Sequence, residues 1–138
     1  MRPSGLRWAI VWVRLDPTEG HEQAGRRPAV VVSFEPFHRA SLLTVLPITS
    51  ARTEARYPGD VPLPAGTGGL ADAGVIICQP RTISARRVLG SQPGRPGVIG
   101  HVEDPGLRTS VRDAIAHHFG LDLRPIRDGA LGVGCYTN

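Results

Sequence analysis

Lysine is missing altogether: all 16 basic residues are arginine, set against 12 carboxylates, for a formal net charge of +4. Two readings of that absence stand side by side. A GC-rich coding sequence replaces Lys by Arg and also enriches Ala, Gly and Pro; a phosphate-binding surface prefers the planar guanidinium, which grips phosphate with two parallel hydrogen bonds. Cysteine occurs twice, at Cys78 and Cys135, too few for a disulfide scaffold and at no metal-ligand spacing. No HxxxH or CxxC pair occurs, so no metal site and no cofactor are expected. A GxxxxGK[ST] phosphate loop and a GxSxG elbow are also absent. Aromatics make up only 5% of the chain, leaving few stacking platforms for a nucleic acid. No apolar run approaches membrane-spanning length, and the first residues lack an apolar core followed by a small-residue cleavage site. A soluble protein of the reducing cytoplasm, away from membranes, is the expectation.

What is present describes a small domain. The 138 residues suffice for one core, and 41% hydrophobic content argues against disorder. Glycine and proline are abundant but not repeated (17 and 13), which favours many turns and short strands. Between Ala73 and Val102 stand Arg81, Arg86, Arg87 and Arg95 with no carboxylate, a one-sign stretch suited to a polyanion and equally to a solvated face.

Strand signals fall at Trp8–Leu15, Pro28–Phe34, Ser41–Ile48, around Val61–Leu63, at Gly74–Cys78 and at Val98–Val102. A twelve-residue polar loop, DPTEGHEQAGRR, joins the first two, and loops of that length in small domains are usually functional. SARRVLG suits one helical turn. One full helix is expected after an Asp104 cap with Pro105 at its first position, closed by Gly120. Leu107, Val111, Ala114, Ile115, His118 and Phe119 form its packed stripe. Residues 1–121 read as the domain and 122–138 as a loosely ordered tail.

Three segments gather reactive side chains at strand ends: Gly20–Gln23 with Arg26 and Arg27, Pro47–Ser50, and Cys78–Thr82. Cutting RNA without a metal needs a base for the ribose 2′-hydroxyl, an acid for the 5′-oxygen and cations for the phosphorane. Histidine suits the proton transfers, arginine the charge, and a hydroxyl can hold a phosphate oxygen. His21, Arg27, Thr49 and Arg81 supply these groups. Ordinary roles compete: His21 as an exposed loop residue, Arg27 as a partner for Glu19 or Glu22, Thr49 and Ser50 as turn residues. His38 and His101 have no partner at motif spacing, and His117 reads as a solvated residue of the helix.

Together the segments IVWVRLDPTEGHEQAGRRPAVVVS (Ile10 to Ser33), VLPITS (Val45 to Ser50) and VIICQPRTIS (Val75 to Ser84) resemble the MazF/PemK/Kid toxin ribonucleases of type II toxin–antitoxin modules. The resemblance implies a mainly β fold with α: an SH3-like small β-barrel (CcdB/Kid/MazF-like) carrying a C-terminal helix, assembled as a homodimer. It implies cleavage of single-stranded mRNA at short sequences, without a metal, leaving a 2′,3′-cyclic phosphate, and a cognate antitoxin as partner. His21, Arg27 and Thr49 match the family's catalytic positions; Ser50, Gln79 and Arg81 match residues bordering the RNA, with Arg86 and Arg87 in the adjoining basic stretch. Kid-like members place Arg and Asp where Ile76 and Cys78 stand here, and the family's Asp or Glu in strand one is Ala9. The alternative is a non-catalytic binder on the same fold, either a CcdB-like gyrase poison or an inactive RNA-binding relative.

Overall fold

A computed structural model describes residues 5–21, 25–90 and 97–122; the tail from residue 123 and Arg95 lie outside them. Seven strands, β1 (Ala9–Arg14), β2 (Arg26–Val31), β3 (Leu42–Thr49), β4 (Val61–Leu63), β5 (Gly74–Ile76), β6 (Arg81–Ser84) and β7 (Val98–His101), form one curled antiparallel sheet, followed by helix α1 (Pro105–His118). The strand order is β4-β5-β3-β2-β1-β7, with β6 also paired to β3.

The central strands are apolar at nearly every position because both faces of the sheet are covered. Side chains alternate between faces along a strand. Ile10, Val30, Leu46, Ile48 and Ile76 pack on one face with Leu107, Val111 and Ala114 of α1. Ala9, Val11, Val13, Ala29, Val31, Leu43, Val45 and Ile83 fill the opposite face. Ala9 is fully buried there, where an acidic side chain would need a partner.

Strand β3 serves two partners in succession. Val45 pairs with Arg81 of β6 and Ile48 with Ile76 of β5. Three steps along β3 thus oppose five on the other side, and the two extra residues bulge at Ile77–Pro80. Pro47 explains the position of the break: its carbonyl accepts from the Ile77 amide at 2.8 Å, but it has no N–H to return. The bulge carries the Cys-Gln-Pro segment to the sheet's rim.

Helix α1 begins as its sequence indicates. The Asp104 carboxylate accepts from the Leu107 amide at 2.9 Å, and such a cap contributes about 1 kcal/mol. The buried stripe is Leu107, Val111 and Ala114, with Ile115 half-buried. His118 and Phe119, expected on the packed face, are exposed and stack edge-on at 4.8 Å instead. The helix outruns the surface it covers. Short 3₁₀ turns occur at Glu35–Ala40, Thr67–Gly69 and Ala85–Arg87, the last within the SARRVLG segment.

Candidate active site at the open rim of the sheet

The last pair joining β2 to β3 is Ala29 with Pro47. Two residues further along each strand stand Arg27 and Thr49. Residues two apart share a face, so both belong to the face that deeper in carries Ala29, Val31 and Val45. Arg27 also lies across from Val13 of β1, and Arg81 across from Val45, both buried residues of that same face. A cation, a hydroxyl and a second cation thus come from three strands to one rim.

The loop bearing His21 is tied to this rim at both ends. Arg81 Nη1 donates to the Leu15 carbonyl at 2.6 Å; Arg87 Nη1 donates to the carbonyls of Asp16 at 2.7 Å and Arg14 at 3.3 Å. The loop closes on itself where the Leu15 amide donates to the Gly25 carbonyl (2.9 Å) and the Gly25 amide to Asp16 Oδ1 (3.1 Å). Gly25 makes that return at φ +76°, a conformation glycine adopts without strain. At the loop's far turn, Gln79 Nε2 approaches the His21 carbonyl at 3.5 Å, linking the loop to the bulge. The three segments singled out in the sequence therefore meet. Arg81 and Arg87, expected on the RNA surface, commit part of each guanidinium to holding the loop. Arg86 is exposed, its amide capped by the Ser84 hydroxyl at 3.2 Å. Of the three described arginines in that stretch, two are thus committed in part to the loop.

Thr49 is 6% exposed and its hydroxyl accepts the Ala51 amide at 3.2 Å, a turn contact that also fixes the side chain. Gly74 is required beside it: a Cβ there would overlap the Thr49 carbonyl oxygen. Beyond Ser50 the chain is locked by Asp60, whose side chain is 3% exposed and accepts from Arg52 Nη1 at 2.6 Å and from the Arg56 and Tyr57 amides at 3.0 Å each. Burial alone would raise the Asp60 carboxyl; the Arg52 bond and the two amides outweigh it and hold the group below the ordinary carboxylate range.

Cys78 faces the other way. It packs against the helix-side core, and its thiol donates to the Ala114 carbonyl at 3.6 Å. Burial pushes the thiol's pKa up, and the Asp60 charge adds to this. The position that is Asp in Kid-like members supplies no base here. Among the described residues, no group of three or more His, Cys, Asp or Glu is placed to hold a metal ion. His38, without a motif partner in the sequence, is buried between the Ser33 hydroxyl (2.7 Å) and Glu35 (3.4 Å), where it anchors the 3₁₀ turn after β2. His101 meets the Gly5 carbonyl at 2.7 Å, and exposed His117 meets Asp122 at 2.9 Å.

One feature of the rim was not legible beforehand. A cleft of about 320 Å³ opens beside Thr49 and Ser50, lined also by Trp12, Pro28, Ile48 and Asp72. Trp12 lies within a run, WAIVWVRL, so uniformly apolar that alternation cannot say which residue escapes burial.

Residues 6–118 match the family of PemK-like, MazF-like toxins of type II toxin–antitoxin systems. The chain is 41% identical over 88 residues to endoribonuclease PemK of Escherichia coli, covering 62% of this chain and 65% of that one. It is 34% identical over 105 residues to endoribonuclease MazF2 of Mycobacterium bovis, covering 74% and 92%. A crystal structure of MazF from Deinococcus radiodurans superimposes with a TM-score of 0.64 at 28% identity, over 82% of this chain and 94% of that one. A MazE–MazF structure from the same organism gives 0.60 at 27%, over 88% and 98%. The half-barrel with its C-terminal helix shares its fold with these toxins. With the family's pattern matched from strand one through the helix, the chain belongs to the PemK-like, MazF-like toxins of type II toxin–antitoxin systems.

Proposed function

We propose that the protein is a sequence-selective endoribonuclease that cuts single-stranded mRNA without a metal. Relatives at 41% and 34% identity carry the name endoribonuclease. The observation that supports the reading for this chain is that Arg27 and Thr49 extend the paired strands β2 and β3 by two residues each on one face of the sheet, with the His21 backbone approached by Gln79 of the bulge. In this reading His21 takes the proton from the ribose 2′-hydroxyl, and the 2′-oxygen attacks the adjacent phosphorus. The bond from phosphorus to the 5′-oxygen breaks, and that oxygen receives a proton from the Arg27 guanidinium, which solvent restores. The products are a 2′,3′-cyclic phosphate and a 5′-hydroxyl. Arg27 also neutralises the phosphorane, and the Thr49 hydroxyl donates to a non-bridging oxygen. Ser50, Gln79 and Arg86 contact flanking nucleotides, while Arg81 and Arg87 keep the loop in place beneath them.

The toxin domain spans residues 1–121, with 122–138 as a tail, and works in the cytoplasm as a homodimer. Its partner is a cognate antitoxin with an acidic segment that folds over the basic rim, in keeping with the MazE–MazF assembly of a structural neighbour. A second reading draws on Ile76 and Cys78, which replace the charged pair of Kid-like members with an uncharged one: a non-catalytic RNA binder or a gyrase poison.

Incubation with a long RNA in EDTA, followed by mapping of the ends, separates the readings. Discrete cuts bearing cyclic phosphate are expected. Intact RNA would end the nuclease reading, and inhibited gyrase beside it would establish the poison.

A further inference from the structure

Strand β7 pairs with β1 only as far as Val11, opposite Val98. Past that point a different segment takes over the edge of β1 that faces away from β2. The Leu89 amide donates to the Trp12 carbonyl at 2.8 Å, and Val88 bridges to Val13. The carbonyls of Arg14 and Asp16 follow at two-residue steps on the same edge, and both accept from Arg87 Nη1, at 3.3 and 2.7 Å. A guanidinium thus continues a ladder that the backbone has left. We propose that Arg87 and Asp16 are positioning residues of the nuclease: they clasp the neck of the His21 loop before RNA arrives, and so act on turnover rather than on RNA affinity. The inference rests on the nuclease reading above and adds Asp16, the preset state and its kinetic consequence.

Three observations converge on it. The clasp is next to a group of the proposed chemistry: Arg14 pairs with Arg26 and Val13 with Arg27, so Arg87 holds the rung adjoining that of Arg27. Asp16 joins two contacts in one residue. Its carbonyl accepts from Arg87, while its Oδ1 accepts the Gly25 amide at 3.1 Å and so ties the two ends of the loop together. Arg81 adds a bond to the Leu15 carbonyl at 2.6 Å, so three consecutive carbonyls, from Arg14 to Asp16, each accept from a guanidinium. Hydrogen bonds from a charged donor are roughly twice as strong as neutral ones.

Every partner in the clasp belongs to the chain itself, so it forms without RNA. A reacting group misplaced by about 1 Å can lower a rate by roughly 100-fold. Loss of the clasp is therefore felt in kcat. Loss of a phosphate contact is felt instead in affinity and in its salt dependence. Arg86, the exposed neighbour that takes no part in these bonds, supplies the contrast.

The test uses the full chain with an RNA oligomer holding one mapped cut, and the same oligomer made uncleavable by a 2′-deoxy residue there. Arg87→Ala is expected to lower kcat roughly 10- to 100-fold with KM within about threefold. Its binding to the uncleavable oligomer should keep the wild-type salt slope, whereas Arg86→Ala should flatten that slope by about 0.7. Asp16→Ala should lower kcat about 10-fold, and Asp16→Asn, which keeps an oxygen for the Gly25 amide, should restore most of it. Hydrogen exchange reads the clasp without activity: the Leu15 and Gly25 amides should be protected in free wild type and exchange faster in both alanine variants, with β2 and β3 unchanged. An Arg87→Ala protein with normal kcat and a flattened slope would make Arg87 a phosphate contact and overturn the clasp. Leu15 and Gly25 amides protected only once RNA is bound, or alanine variants whose β2 and β3 amides open as well, would also overturn it. Wild-type protein that leaves RNA intact while its Leu15 and Gly25 amides are protected would overturn the nuclease reading, and with it the kinetic role but not the clasp.

Discussion

Trp8 and Trp12 lie on the same side of the sheet, four residues apart, yet one is 4% exposed and the other 43%. The residue type is identical, so the difference lies in what covers each. Trp8 sits under α1 with the Arg108 and Arg112 guanidinium groups 5.5 and 5.3 Å from its ring centre. Trp12 lies past the helix, where among the described residues the sheet face meets the turn at 69–74. The covered end of β1 holds the molecule together; the uncovered end carries the polar residues from three strands. Stability and the proposed chemistry are therefore assigned to different ends of a single strand, and substitutions at the two ends should have different readouts.

The largest effects are expected at the uncovered end and in activity alone. Arg27→Ala and His21→Ala should each lower cleavage by roughly 10²–10⁴-fold while thermal unfolding stays near wild type. Near-normal cleavage by either variant would remove that residue from the chemistry. At the covered end the opposite holds. Trp8→Ala should cost about 3–5 kcal/mol of stability, whereas Trp12→Ala should cost about 1 kcal/mol or less; equal losses in chemical denaturation would break the contrast.

Smaller effects sharpen it. Asp60→Asn should destabilise by about 1–3 kcal/mol, because the Arg52 bond and two backbone amides lose their charged acceptor. Its pH dependence follows from sign. The folded carboxyl titrates below its unfolded value of about 3.9, so its contribution is complete above that value and disappears as pH falls through the folded pKa. The gap between wild type and Asp60→Asn in melting experiments should shrink on acidification; a constant gap would contradict the pairing. Cys78→Ser should leave cleavage within about threefold, since the thiol is protonated and faces the helix. A large loss would restore a catalytic role to that position.

Much of the fold was legible because the strands in question are apolar runs closed by turn residues. The second strand was expected at 28–34 and forms at 26–31; the third was expected at 41–48 and forms at 42–49. Strand β6 was not anticipated. Its four residues, RTIS, have too little length or alternation to signal a strand, and they become one only by pairing with the first half of β3. The expected strand to Cys78 stops at Ile76 for a reason written elsewhere in the chain, the missing N–H of Pro47. The helix stripe failed at His118 and Phe119 because periodicity marks a face but not how far the sheet beneath it extends. The candidate site followed the same rule. Its residues could be named from local pattern, whereas the loop-holding contacts of Arg81 and Arg87 and the openness of Trp12 depend on partners distant in sequence.

The central claim is that one phosphodiester meets groups brought together from β2 and β3. A crystal structure of the protein with an RNA oligomer carrying a single 2′-deoxy residue at the mapped cut tests it most directly. The scissile phosphate should lie within hydrogen-bond distance of both the Arg27 guanidinium and the Thr49 hydroxyl. A phosphate held elsewhere on the molecule, with those two groups untouched, would contradict the account.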